Sequence, residues 1–448
     1  MLVPHQHDID GVLGAAPIII ETSSILEVSQ VKNRNIQQGL YLLRKPNIRK
    51  LFIAYLISYT GTAMAPIAMA FGVLELTGST KESGMVIAAP TLASIVVLLF
   101  GGVLADRTSR QRIMASAEFL AMLSQLGIAL LFLTGLAMAP ALVVLGLISG
   151  IAIALNIPAA TGLVTQLAQK DELQALNALL GIARDGAVTG GAALGGLVVA
   201  MFGAGIALML DALSFGVSAL LVISLKPSRQ TAPEAASFVH DLKLGWKEFT
   251  SHTWLWVIVL QFAFVVAAFE SVIGLLGPAV ARNQMGGAAS WGIIAAGLGA
   301  GTLVGGLLAM KVSVRYPMRF ATYCVFVLAG IPLTLAVPLS VTTVAFTAFI
   351  AGISTQIFAV IWYTTLQTKV PAHMLSRVSA YDHLGSIALA PPGIVAAGFL
   401  FEEIGAQATL NLAALAIILP TLLVLCVRDV RMMTIDEVSE RGSHGGPD

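Results

Sequence analysis

Glu118, Arg184, Asp185, Asp211, Glu270 and Asp382, the last followed by His383, are ionisable side chains set inside long apolar runs. A charge facing lipid at the centre of a bilayer costs about 2.5 kcal/mol or more, so each such residue is a candidate for work: carrying a proton, binding a cation, or pairing with an opposite charge. Glu270 has no basic residue near it in sequence, which suits it to a proton-coupling or cation-binding role. Arg184 and Asp185 are neighbours and on a helix project in different directions, so each is expected to need another partner. A helical rise of about 1.5 Å per residue puts Asp211 and Glu270 toward the outer side of their runs and Arg184 nearer the middle. Glu118 and Asp382 fall near the inner face and read first as interfacial groups.

Other chemistries find no frame. The chain has no zinc-binding histidine pair on a helix, no nucleophile elbow and no cluster among its seven histidines, so an enzyme is not expected, nor a metal or cofactor. Gly297, Gly301 and Gly305, with Gly299 and Gly306 nearby, lie inside an apolar run rather than between a strand and a helix. They therefore read as a close helix–helix contact and not as a dinucleotide loop. Cys324 and Cys426 sit within apolar runs and read as small core residues.

The elements that must position these groups are membrane spans. Of 448 residues only 11% are charged and 57% are hydrophobic, and mean hydropathy is +0.88, outside the range of soluble domains. Residues 119–169 form 51 positions without one Asp, Glu, Lys or Arg, and 321–368 form another 48. About 20 apolar residues cross a bilayer as a helix, so each stretch holds two spans and a turn. Hydropathy predicts twelve helices, at 51–74, 84–105, 113–134, 140–162, 173–200, 204–225, 254–277, 290–310, 319–339, 342–364, 378–400 and 406–427. With both termini inside, 22 of the 25 Lys and Arg residues fall in inner segments; Lys81 and Arg282 fall outside and Arg184 within a span. That bias predicts one orientation, with both tails cytoplasmic. The expected organisation is a tail at 1–46, a six-helix bundle at 47–225, a linker at 226–253 with an amphipathic run ahead of Trp254, a second bundle at 254–428, and a tail at 429–448. No basic domain or aromatic-basic interleaving points to nucleic acid.

The two halves align with each other. Residues 166–191 lie over 368–393 at a constant offset of 202, so that Leu173 meets Leu375, Asn177 meets Ser379 and Gly191 meets Gly393. Such a repeat predicts a substrate site near the midplane between the halves. The strongest local signal is Gly102, Val103, Leu104, Ala105, Asp106, Arg107, Thr108, Ser109, Arg110, Gln111, Arg112, between the second and third spans. It resembles the loop signature of the major facilitator superfamily, a glycine followed by an Asp-Arg pair and a second basic cluster, with Ser109 where glycine is usual and Gln111 where a basic residue is usual. Gly191, Ala192, Ala193, Leu194, Gly195, Gly196 is similar to the antiporter motif of that superfamily, with Ala192 where proline is usual. Pro158, Ala159, Ala160, Leu173, Ala175, Asn177, Asp211, Ala212, Ser214 and Phe215 resemble its drug, macrolide and enterobactin exporter branch.

The resemblance implies an all-α membrane protein of twelve transmembrane helices in two pseudo-symmetric six-helix bundles, the major facilitator fold. It implies a gate built from Gly102, Asp106, Arg107, Arg110, Gly191, Gly195 and Gly196, and proton coupling by a group among Glu270, Arg184, Asp185, Asp211 and Asp382. Tyr59, Thr60, Asn156, Gln261, Gln356 and Trp362, with Tyr363, lie on its presumed cavity helices. A largely apolar cavity with a few amides and aromatics suits amphipathic substrates. The function implied is export of drug-like or siderophore-like molecules by proton antiport across an inner membrane, by a monomer whose partners are its small-molecule substrate, protons and the lipid bilayer. An importer or facilitator of another solute, or a membrane sensor that keeps the fold without transport, stays open.

Overall fold

A computed structural model describes residues 41–105, 109–169, 172–227, 238–312, 314–337, 339–371 and 374–434. Every regular element among them is helical. Helices α1 (Pro46–Thr77), α2 (Thr80–Ala105), α3 (Arg110–Thr134) and α4 (Ala139–Leu167) open the chain. Leu173–Ile223 then runs for 51 residues, but Gly203 at φ 81° and ψ 170° breaks it into two arms, numbered here α5 (173–202) and α6 (204–223). That backbone is open to glycine at no steric cost. The remaining elements are α7 (Phe238–Ser251), α8 (Thr253–Gln284), α9 (Ala288–Ala309), α10 (Pro317–Leu335), α11 (Val341–Lys369), α12 (Arg377–Ile404), α13 (Ala406–Cys426) and the short α14 (Arg428–Met432).

Ten helices among the described residues are long and apolar enough to cross a membrane by length and composition. One of them, Ala175–Ile223, is the broken pair α5 and α6, and the apolar 26-residue α2 is not among the ten. Some predicted ends move outward: α1 starts at Pro46 rather than 51, because proline at the first helical position suits a helix start, and it ends on Gly78 in the left-handed conformation, φ 65°. α8 continues to Gln284 through a π-helical turn, Val272–Leu276, instead of stopping at 277.

The start of α1, the end of α13 and α7 share one side of the molecule, the tail face; Gly78, Gly135, Gly203 and Gly405 turn the chain on the other, the hairpin face. Side chains with little bulk set the helix spacing. Gly297, Gly301 and Gly305 lie on the Ala345, Phe349 and Ile353 carbonyls of α11, a ladder of three contacts one turn apart. The 202-residue repeat is visible as equivalent packing. Gly150 of α4 lies on Pro90 of α2, and Gly352 of α11 lies on Leu298 of α9. Gly191 packs on Thr60 and Ala63 of α1, and Gly393 packs on Ala267 of α8. Gly196 meets Gly292 of α9, and Gly398 meets Thr80 of α2. The last pair builds two seams between the halves, α5 on α9 and α12 on α2.

Polar contacts reinforce the hairpin side. Ser79 Oγ donates to Glu402 at 2.6 Å, Lys81 N donates to the same oxygen at 3.1 Å, and Thr80 Oγ1 donates to the Gly398 carbonyl at 3.0 Å. Arg282 Nη1 donates to the Leu74 carbonyl at 2.6 Å. On the tail side Gln111 Nε2 donates to the carbonyls of Val222, Ile223 and Leu225, closing the end of α6. Lys45 bonds both oxygens of Glu172 at 2.6 and 2.7 Å, and the ammonium holds that carboxyl below the usual carboxylate range. The amphipathic α7 docks on α12, with Trp246 and Phe249 against the Tyr381 ring.

Candidate functional site

A cavity of about 460 Å³, within the size range of small-molecule sites, lies in the first half and is bordered by the second. Its wall is made mostly by α1, α2, α3, α4 and α6, and the other half contributes Glu270 and Gly274 of α8 and Ile394 of α12. Polar residues seven apart lie on one face of a helix, two turns from each other. Four such pairs line the cavity: Tyr55 and Thr62 on α1, Glu118 and Gln125 on α3, Ser149 and Asn156 on α4, Asp211 and Ser218 on α6.

Glu118 ties three helices together. Asn156 Nδ2 donates to its Oε1 at 2.9 Å and Ser58 Oγ donates to its Oε2 at 3.3 Å. It is 4% exposed, so the interfacial reading of Glu118 is corrected: the eight residues from the start of α3 carry it into the bundle, where amide and hydroxyl donors replace water. Asp211 is fully buried, and Gln125 Nε2 donates to its Oδ2 at 2.6 Å. Gly61 of α1 lies against Asp211, and a methyl group there would stand 2.8 Å from Oδ1.

Glu270 faces the cavity from α8 with its side chain accessible, and it makes no hydrogen bond or ion pair to a described residue. Because α8 is longer than expected, Glu270 sits near its middle rather than toward the outer end. The π-helical turn begins two residues later, and such turns interrupt helices frequently at functional sites.

The other expected residues divide. Tyr59 and Asn156 line the cavity, with the Tyr59 ring 5.5 Å from that of Tyr55. Thr60 instead bonds the Leu56 carbonyl, its own backbone lying against Gly191. Gln356 packs on Gly305 and Gly306 within the second half. Gln261 is buried, donates to Thr421 at 2.9 Å, and borders an apolar crevice between α8 and α13. Trp362 donates from Nε1 to Asp382 at 3.0 Å and packs on Trp254 and Phe358. Asp382 is thus buried at 8% exposure, and its interfacial reading is corrected as well, since the indole supplies its donor. Arg184 Nε bonds Asp185 Oδ1 at 2.9 Å, which overturns the expectation that these neighbours need other partners: the long arginine side chain folds back over one residue.

Of the gating candidates, Gly191 and Gly195 pack on α1, Gly196 forms the α5–α9 seam, and Arg110 Nη1 donates to the Gly162 carbonyl at 3.1 Å. Gly102 lies near the tail-side end of α2, and Asp106 and Arg107 lie outside the described residues. Tyr55, Ser58, Gln125, Phe215 and Ser218 line the cavity without having been singled out for it from the sequence. The seven-residue spacing from Glu118 to Gln125 and from Asp211 to Ser218 was the signal that could have found two of them.

A family model described as a transmembrane secretion effector matches residues 38–445. The enterobactin exporter EntS of Escherichia coli O1:K1 is 26% identical over 340 residues, covering 75% of this chain and 80% of the exporter. EntS of Citrobacter koseri is 28% identical over 346 residues, with the same coverage of 75% and 80%. Among solved structures, the nucleoside transporter NupG superposes with a TM-score of 0.68 at 12% identity, over 85% of this chain and 98% of NupG. A bacterial homolog of the human lysosomal transporter Spinster, solved inward-facing and unoccupied, gives 0.63 at 15% identity over 85% and 96%. At these identities the structures speak for the fold alone.

Proposed function

The chain belongs to the transmembrane secretion effector family of the major facilitator superfamily, and from that premise we propose that it exports small amphipathic molecules, drug-like or siderophore-like, in exchange for protons. One observation carries the reading: Glu270, a carboxylate without a described partner, reaches from the second half to a substrate-sized cavity of the first, beside a break in its own helix. An acid in that position can take up a proton from one side and release it to the other while the walls around it reorient. Glycine seams and the Glu402 and Arg282 bonds hold the hairpin side closed, and loosening them as the tail side closes is the alternating step. Gly102, Asp106, Arg107 and Arg110 are assigned to the opposite gate, and Asp106→Asn is expected to cut transport while leaving membrane insertion intact.

In this reading the protein is a monomer in the inner membrane with its tail face in the cytoplasm, as the distribution of Lys and Arg favours. A cysteine at Leu136, 66% exposed on the hairpin side, then labels with an impermeant reagent in whole cells, whereas one at Ser109 does not. The central test uses the full chain in proteoliposomes with an imposed pH gradient and a panel of amphipathic compounds. The expected outcome is uphill movement of at least one compound against the proton flow, abolished by a protonophore. Gradient-independent equilibration of the same compound favours a facilitator and overturns the antiport reading.

A further inference from the structure

We propose that the apolar crevice between α8 and α13 holds one acyl chain of an anionic phospholipid from the leaflet at the tail face, with the lipid phosphate engaged by Arg428 and Arg431 of α14. The crevice shares no lining residue with the cavity described above, and the proposal does not rest on the export reading.

Shape is the first argument. The crevice has a volume of about 510 Å³. Ala416 and Pro420, one turn apart on α13, put little side-chain bulk toward α8, and that leaves the space. Gln261 is the polar side chain of the wall, and its amide is spent on Thr421 at 2.9 Å, which pins α8 to α13 and leaves the rest of the surface hydrocarbon. Leu260, Leu415, Leu419 and Leu423 are each half exposed or more, so the crevice opens toward the lipid around the spans. Its α13 side runs from Leu412 to Val427, about 22 Å at the helical rise, against roughly 15 Å for the hydrocarbon of one leaflet. A chain entering at the tail-face end therefore has a wall along its whole depth.

Charge is the second argument, and it selects the headgroup. Val427 lines the tail-face end of the crevice and is followed directly by Arg428. Val430 is fully buried where α14 packs on α8 and α10, which fixes the short helix at that mouth. Arg428 and Arg431, three residues apart, share a face of α14 and are both exposed. Arg315 and Arg319 stand at the start of α10, the other helix that α14 touches, with the Arg319 guanidinium 4.6 Å from the centre of the Tyr316 ring. Among the described residues of α14 and the start of α10 the acid facing these four arginines is Asp429, which lies off the Arg428–Arg431 face. A guanidinium binds phosphate through paired hydrogen bonds, and basic residues at a membrane surface draw anionic lipids. A lipid with a neutral headgroup can lay the same chain in the crevice but gains nothing at its mouth.

The test uses phosphatidylglycerol and phosphatidylcholine that carry the same diazirine-bearing chain, each added as a trace to phosphatidylcholine vesicles holding the full-length protein. After illumination the labelled residues are mapped by mass spectrometry. Phosphatidylglycerol is expected to label the crevice residues of α8 and α13 roughly tenfold or more above phosphatidylcholine. Replacing both arginines, Arg428→Gln with Arg431→Gln, should reduce that ratio to about threefold or less. Ala416→Phe, which fills the crevice, should lower labelling there by both lipids. Equal labelling by the two lipids in the unaltered protein means hydrocarbon contact without headgroup selection, and it overturns the proposal even if no variant folds. A crevice that neither lipid labels is covered by protein, whether a second copy or another chain, and overturns it as well. So does an unchanged ratio in the double arginine variant when its thermal unfolding matches the parent.

Discussion

The two walls of the cavity are built on opposite principles. The wall from α1, α2, α3, α4 and α6 carries polar side chains that bond one another: Glu118 accepts from Asn156 and Ser58, and Asp211 accepts from Gln125. The wall from α8 and α12 offers Gly274 and Ile394 and a single acid, Glu270, with no described partner. A carboxylate bonded on two sides is expensive to alter, because changing it leaves buried donors unsatisfied. One without partners can change its protonation, or be replaced by an amide, with little structural consequence. In the antiport reading proposed above, the first wall positions the substrate and the second carries the coupling proton.

The largest effect that could break this division is on Glu270. Glu270→Gln mimics the permanently protonated acid and should lower uphill export by roughly a hundredfold or more, the size expected when a proton-transferring group is removed. Binding and downhill exchange should survive, and proton-driven efflux at the parent rate would remove Glu270 from the mechanism. Next in size is Gln125→Leu, which strips the donor from Asp211 and should cost about 1–3 kcal/mol of stability in detergent, read from unfolding midpoints. Stability equal to the parent would mean that the first wall is not held by its bonds. Smaller is the coupling between Glu118→Gln and Asn156→Ala in a double-mutant cycle, expected at about 1 kcal/mol. The same cycle between Glu270→Gln and Asn156→Ala should give roughly zero, and comparable values would dissolve the contrast between the walls. The smallest change belongs to Trp362→Phe, away from both walls. It should cost about 1 kcal/mol through the lost Asp382 bond and leave transport within roughly twofold.

Legibility in the sequence followed the range of the physics involved. Helices, turns and the repeat are local or periodic properties, so apolar runs and the 202-residue offset were readable, and the offset later matched equivalent packing at Gly191 and Gly393. The break between the fifth and sixth spans was readable too and falls at Gly203, whereas the π-helical turn after Glu270 was not, since it carries its helix past the end that hydropathy suggests. Polar residues in spans were visible as candidates, yet hydropathy assigns depth and not direction. Glu118 therefore read as interfacial, and Gln261, Gln356 and Trp362 could not be separated from Tyr59 and Asn156.

By itself the sequence determined that this chain must be helical in a bilayer, because so apolar a chain can satisfy its backbone there only within helices, and that it is built twice over. Only the tertiary structure decided which acids share one cavity and what they touch. A hydrogen bond such as Gln125 to Asp211 spans 86 residues, and its existence depends on how α3 and α6 are rotated against each other. That rotation is set by glycine contacts and side-chain volumes summed over whole interfaces, which no local pattern encodes.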